Sequence, residues 1–133
     1  MEIQPYLFLE GRCEEAIAFY RQALGAKPAM MMRFKDCPDQ TMIPPGGGDK
    51  IMHARLDIGD TTLLLSDGRC QGAQNFQGFA LSITAPDAPS AERLFHALSE
   101  GGEVRMPIAK TFFSPAFGML ADRFGVAWMV YVA

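Results

Sequence analysis

The chain has 133 residues, 49% of them apolar and 20% charged, with a formal net charge of −3. That length suits one domain or two half-domains sharing a core, and the apolar fraction excludes a disordered segment. Lys and Arg never stand side by side, and no apolar stretch reaches the roughly 18–20 residues of a membrane span, so neither a nucleic-acid footprint nor a membrane partner is expected.

Residues 3–9 form a short apolar run rich in strand formers, broken by Gly11. A helix is predicted from Arg12 to Leu24, with Glu14 and Glu15 in the first turn and Gly25 just past the end. A second strand is expected over 28–35. The stretch 36–49 that follows, with its prolines and the run Gly46-Gly47-Gly48, reads as a long loop of the kind that forms lids. From Lys50, Met52, Ala54, Leu56 and Ile58 alternate with His53, Arg55, Asp57 and Gly59, a strand with one apolar and one polar face. Gly59-Asp60 signals a hairpin into a return strand over 61–66, and a polar, glycine-rich connector covers 67–75.

The second half repeats the order. A strand is predicted over 76–84, and Asp87, Pro89 and Ser90 supply helix-start chemistry. The helix is expected to run to Glu100 and stop at Gly101-Gly102. Strands follow over 103–109, 116–121 and 126–132, the last two joined by Asp122-Arg123-Phe124-Gly125. Shifting one half by 75 positions pairs Ala16 with Ala91, Phe19 with Leu94, Tyr20 with Phe95 and Ala23 with Leu98. Each set is the stripe of a helix packed on a sheet. The fold expected is α+β: a single domain over 1–133, built of two βαβββ modules, 1–69 and 76–133, around a shared cleft.

His53 is the side chain best suited to chemistry, because imidazole titrates near neutral pH and serves as acid or base. Arg55, two residues on along the same face, suits an anionic ligand group. A His-Arg-Asp face equally suits a solvated sheet surface or a dimer contact, and both readings stay open here. His96 falls beside the apolar stripe of the second helix and is expected at the surface. Cys13, Cys37 and Cys70 form no C-x-x-C pair, so no zinc or redox motif is indicated; Cys37, in the loop, is the best candidate for an exposed thiol. Met30-Met31-Met32 reads as apolar filling. The aromatics Phe76, Phe79, Phe112, Phe113, Phe117, Phe124, Trp128 and Tyr131, concentrated in the second half, suit core, dimer packing or an apolar pocket.

Three ordered segments, PYLFLEGRCEEAIAFYRQALGA, DKIMHARLDIGDTTLLLSD and FGMLADRFGVAWMV, carry a family resemblance. The chain resembles the PhnB-like branch of the glyoxalase/bleomycin-resistance/extradiol-dioxygenase superfamily, the vicinal oxygen chelate proteins. The resemblance implies two modules curling their sheets around a cleft, helices outside, and a homodimer. Its enzymes hold a divalent metal with a His on a first strand and a Glu on a last strand of each module. The corresponding positions here are Gln4, Leu63, Phe79 and Met129, which lack the imidazole, carboxylate or thiolate donors such ions need. The expectation is therefore no metal and no cofactor.

Because Gln4 takes a ligand place, the face it shares with Tyr6 and Phe8 is assigned to the cleft. Gln4, Tyr6, Arg55, Phe79 and Met129 are the expected ligand contacts, and His53 the catalytic candidate. The branch has also been labelled a demethylubiquinone methyltransferase domain, but no glycine-rich turn leads from the first strand into a helix as a nucleotide-type cofactor site would require. The functional expectation is a cytoplasmic small-molecule binder. The alternatives are a lyase, isomerase or dioxygenase-type enzyme using His53 or a displaced metal, and a structural dimer with a vestigial cleft.

Overall fold

The computed structural model describes residues 1–39, 41, 43–68 and 74–133; Cys70 lies outside them. The chain divides into two compact units, Met1–Gln74 and Asn75–Ala133.

The first unit contains β1 (Tyr6–Phe8), α1 (Cys13–Leu24), β2 (Lys27–Arg33), a 3-10 turn (Phe34–Asp36), β3 (Ile51–Ile58) and β4 (Thr61–Ser66). Its sheet has the order β1-β4-β3-β2, with β1 and β4 parallel and the other pairs antiparallel. The second contains β5 (Leu81–Ala85), α2 (Ala88–Ser99), β6 (Glu103–Ala109), β7 (Phe117–Ala121) and β8 (Ala127–Val132), in the order β5-β8-β7-β6 with β5 and β8 parallel. The fold is α+β, one βαβββ unit following another.

Local chemistry accounts for the boundaries. Gly25 takes φ 67° and donates its N–H to Arg21 O, closing α1. Asp87 caps α2 by accepting from Ser90 N at 2.8 Å. β1 is shorter than the apolar run because Pro5 has no N–H to give; its carbonyl still accepts from Leu64 N. β5 begins at Leu81 rather than near residue 76, since Gly78 at φ 79° breaks the extended path before it.

Each helix buries its stripe on its own sheet. Ala16 and Tyr20 are fully buried with Leu7, Leu56 and Leu65, and Ala91, Phe95 and Leu98 with Leu120, Trp128 and Val130. A side chain of this size contributes about 1.5–3 kcal/mol when fully buried. The helices keep the 75-residue offset, from Cys13 to Ala88. The first strands do not. The inward residues Leu7 and Leu9 correspond to Ile83 and Ala85, an offset of 76. By the strand offset, the counterpart of Gln4 is Ala80 rather than Phe79. Likewise Leu63 is buried, paired with Leu56, whereas its neighbour Leu64 pairs with Tyr6 on the open face.

Two other expectations are corrected. Cys37 is buried, because its N–H closes the 3-10 turn on Phe34 O and carries the side chain inward. Met30 and Met31 are exposed rather than filling core, because β2 is the outermost strand of its sheet.

The end of β4 carries a buried carboxylate. Asp67 accepts from Cys13 N and from Ile51 N, both at 2.7 Å, tying the first turn of α1 and the start of β3 to one side chain. Asp67→Ala leaves two buried N–H groups without acceptors and should lower unfolding free energy by about 3 kcal/mol, read by urea denaturation.

Candidate functional site

A cavity of about 630 Å³ lies on the open sheet face of the first unit. Its floor is Tyr6 and Phe8 from β1, Met52 and His53 from β3, and Ser66 from β4; Phe34, Gly68 and the segment Thr41, Ile43, Pro44 and Pro45 complete the wall. The volume suits a small organic molecule.

A bulge shapes this floor. Met32 pairs with His53 and Arg33 with Ile51, leaving Met52 without a partner on β2. The extra residue breaks strict alternation, so Ile51 and Ala54 are both buried while Met52 and His53 both reach the cavity. The sequence pattern places Met52 with the inward residues; the bulge is why it turns out.

The polar atoms of the wall fall into two groups. Tyr6 Oη lies 2.7 Å from His53 Nδ1, with the rings 5.5 Å apart and tilted. Ser66 Oγ accepts from Gly68 N at 2.9 Å and donates to Ile51 O at 3.5 Å. Burial pushes the Tyr6 phenol above its ordinary value, followed by the nearby Cys13 thiol, while Ser66 pulls the other way. The phenol therefore stays protonated at neutral pH. The Cys13 thiol is itself raised, by burial first and the Asp67 carboxylate second, so it is no nucleophile. Gly68 has φ 62°, and a Cβ there would stand 2.8 Å from Glu10 Oε1, so the turn that supplies the N–H requires glycine.

Of the six residues nominated from sequence, the cavity brings together Tyr6 and His53. Arg55 is exposed, its Nε 3.3 Å from Asp57 Oδ1. Gln4 is half-buried ahead of β1. In the second unit Phe79 is exposed and edge-on to Phe76, and Met129 is half-buried opposite Met119. His96 is exposed, as expected. Of the second-half aromatics, Phe124 and Trp128 are buried while Phe112 and Phe113 are exposed. Phe34, Thr41, Ile43, Met52, Ser66 and Gly68 were not nominated. Ser66 was findable, since Thr62, Leu64 and Ser66 share one parity on β4. The segment at 41–45 was not, because a loop has no periodicity.

A family model described as 3-demethylubiquinone-9 3-methyltransferase matches residues 1–131. The chain belongs to that family. It is 31% identical to Protein YjdN of Escherichia coli over 99% of this chain and 95% of that protein. Among solved structures, PA1353 from Pseudomonas aeruginosa is 44% identical, with a TM-score of 0.88 over 99% of this chain and 97% of the other. The PhnB protein from Bacillus cereus has TM-score 0.83 at 24% identity, covering all of both chains. A glyoxylase/bleomycin resistance protein/dioxygenase domain from Frankia has TM-score 0.68 at 16% identity, over 100% and 97%. These likenesses place this PhnB-like family within the glyoxalase/bleomycin-resistance fold.

The base of the cavity-walling loop is held by ions. Arg33 makes a forked pair with Glu14, at 3.1 and 2.8 Å, and donates to Asp49 O at 2.6 Å; Lys35 pairs with Asp49. The Arg33 guanidinium holds the Glu14 carboxyl below its usual range. A carboxyl lowered on folding stabilises above its unfolded value and loses that contribution as pH falls through the folded one. The stability gap between wild type and Arg33→Gln should thus be present at neutral pH. It should close below about pH 4 and shrink in high salt, as followed by thermal melts.

Proposed function

We propose that this chain is a small-molecule-binding protein whose first unit supplies the ligand cavity, with His53 and Tyr6 as its polar contacts. The observation that carries this reading is the 2.7 Å Tyr6–His53 pair set in a largely apolar wall. Such a site, apolar with a few convergent polar groups, is the usual form of a small-molecule pocket. Gln4, Arg55, Phe79 and Met129, expected as contacts from the sequence, are not among the described residues that line this cavity, and Arg55 is engaged by Asp57.

Binding is proposed to proceed without the superfamily's metal. An amide at Gln4, a phenyl ring at Phe79 and a thioether at Met129 do not fit a divalent first-row ion, and the outward neighbour of Leu63 is another leucine. Metal analysis of protein purified without chelator is expected to find a substoichiometric content.

A second reading, an enzyme using His53 as acid or base, is favoured by the same hydrogen bond, because a partnered imidazole is oriented for proton transfer. The family's description suggests methyl transfer. The turn from β1 into α1, Leu9-Glu10-Gly11-Arg12, has one glycine and not the glycine-rich form of a nucleotide-type site. Binding of S-adenosylmethionine in calorimetry would favour the enzyme. A third reading, an interaction dimer, draws on exposed Val104, Met106 and Phe113. A homodimer working in the cytoplasm belongs to the proposal.

Two outcomes test it. Mass spectrometry of purified protein should find a co-purifying organic molecule, and His53→Ala should weaken its binding by about 1–3 kcal/mol while the melting curve stays near wild type. Unchanged binding in that variant would remove His53 from the site. Light scattering should give twice the 14.6 kDa chain mass at micromolar concentration; a monomer would remove the dimer.

A further inference from the structure

The Tyr6–His53 hydrogen bond constrains a ligand without having a fixed direction. Tyr6 Oη and His53 Nδ1 are 2.7 Å apart, and each can donate or accept. In one arrangement the phenol donates to Nδ1. The neutral imidazole then carries its proton on Nε2, and the phenol oxygen keeps a lone pair for a further donor. In the other arrangement Nδ1–H donates to the phenol oxygen. The phenol hydrogen is then free to donate elsewhere, and Nε2 accepts. Both arrangements leave the same remainder: one donor and one acceptor, on two different side chains.

Both open positions belong to residues of the cavity. Among the described residues no hydrogen bond uses Nε2, and no buried side-chain nitrogen or oxygen lacks a partner, so Nε2 of the half-buried His53 is accessible. Tyr6 is 38% exposed and lines the same wall. Its phenol is raised above the ordinary value, so it keeps the hydrogen that both arrangements need. The two nitrogens of an imidazole point away from each other, so the open position at Nε2 and the one on the phenol oxygen stand apart rather than side by side. The surface around them is aromatic: Tyr6 and Phe8 are stacked with ring centroids 5.0 Å apart, and Phe34 lines the same space. Flat apolar groups pack on such rings with a geometric preference beyond area burial.

We propose that the cavity selects a flat apolar molecule with a hydrogen-bond donor at one end and an acceptor at the other, held by Tyr6 and His53 as one couple that reverses its own hydrogen bond to match whichever way round the molecule lies. The proposal rests on the small-molecule reading above and names the ligand class of that site.

The test measures affinity for the full chain, by calorimetry near neutral pH, with four naphthalenes of one shape. Acetylnaphthol carries a donor and an acceptor on opposite rings. Its methyl ether has the donor blocked, ethylnaphthol has no carbonyl, and ethylnaphthalene has neither group. The proteins are wild type, Tyr6→Phe and His53→Phe, the variants keeping a ring at each place. In wild type, acetylnaphthol should bind about tenfold tighter than either one-ended compound, the size of one hydrogen bond. That advantage should vanish in both variants, because each retains a polar partner at one end alone. Ethylnaphthalene should bind all three proteins alike, which shows the variants folded with the cavity intact. A one-ended compound that matches acetylnaphthol in wild type, an advantage that survives in either variant, or no binding by any of the four overturns the ligand class and leaves the small-molecule reading standing on its co-purifying molecule. Probe-induced NMR shifts that bypass Tyr6, Met52 and His53 would instead sink the cavity reading itself.

Discussion

The first unit is organised around one buried carboxylate. Asp67 follows β4 and receives the N–H groups that begin α1 and β3. A first-turn helix N–H has no partner within the helix, and a negative acceptor there also suits the helix dipole. The same side chain thus anchors the helix that covers the sheet and the strand that carries His53. Asp67 N reciprocates by donating to Ile51 O, so the junction is pinned from both directions. Ser66 and Gly68 flank Asp67, and both line the cavity. The anchoring of the core and the polar wall of the site are therefore consecutive residues of one turn.

The second unit solves its closure differently. Asp122 is buried in the β7–β8 turn, where it accepts from Phe124 N, Val126 N and the Trp128 indole. Ser114 is buried as well, with its hydroxyl set among Ala116 O, Val132 O and the amides of both residues. These networks lock hairpin and strand ends rather than a helix start. Two units with one topology thus distribute their buried polar groups differently, and the first unit's arrangement is the one that places Ser66 and Gly68 in a cavity wall.

The strand bulge at Met52 is the second local event on which the site depends. Without it, Met52 would turn inward and β3 would offer the floor only His53. With it, a soft apolar side chain and a titratable one sit side by side under a proline-containing wall. The ion pairs of Arg33 and Lys35 act at the other end of that wall, where the loop leaves and rejoins the sheet. Such exposed pairs add at most about 1 kcal/mol each to global stability, and they lie at the base of the loop.

Period and punctuation in the sequence determined the order of elements. The helix stripes through Tyr20 and Phe95, the glycine after α1, the cap at Asp87 and the hairpin at Gly59-Asp60 act over a few residues, and each is where the sequence places it. The polar face of β3 and the outward side of Tyr6 were equally legible, because alternation is a property of the strand alone. Tertiary structure decided the rest. The bulge depends on how β2 pairs with β3, and the offset of 76 rather than 75 in the first strands depends on which residues meet a helix. The cavity wall at Thr41, Ile43, Pro44 and Pro45 belongs to a loop whose base is held by ion pairs, and Asp67 acquires its role only when two distant N–H groups converge on it. None of these is written in local periodicity, since each is fixed by contacts between residues far apart in the chain.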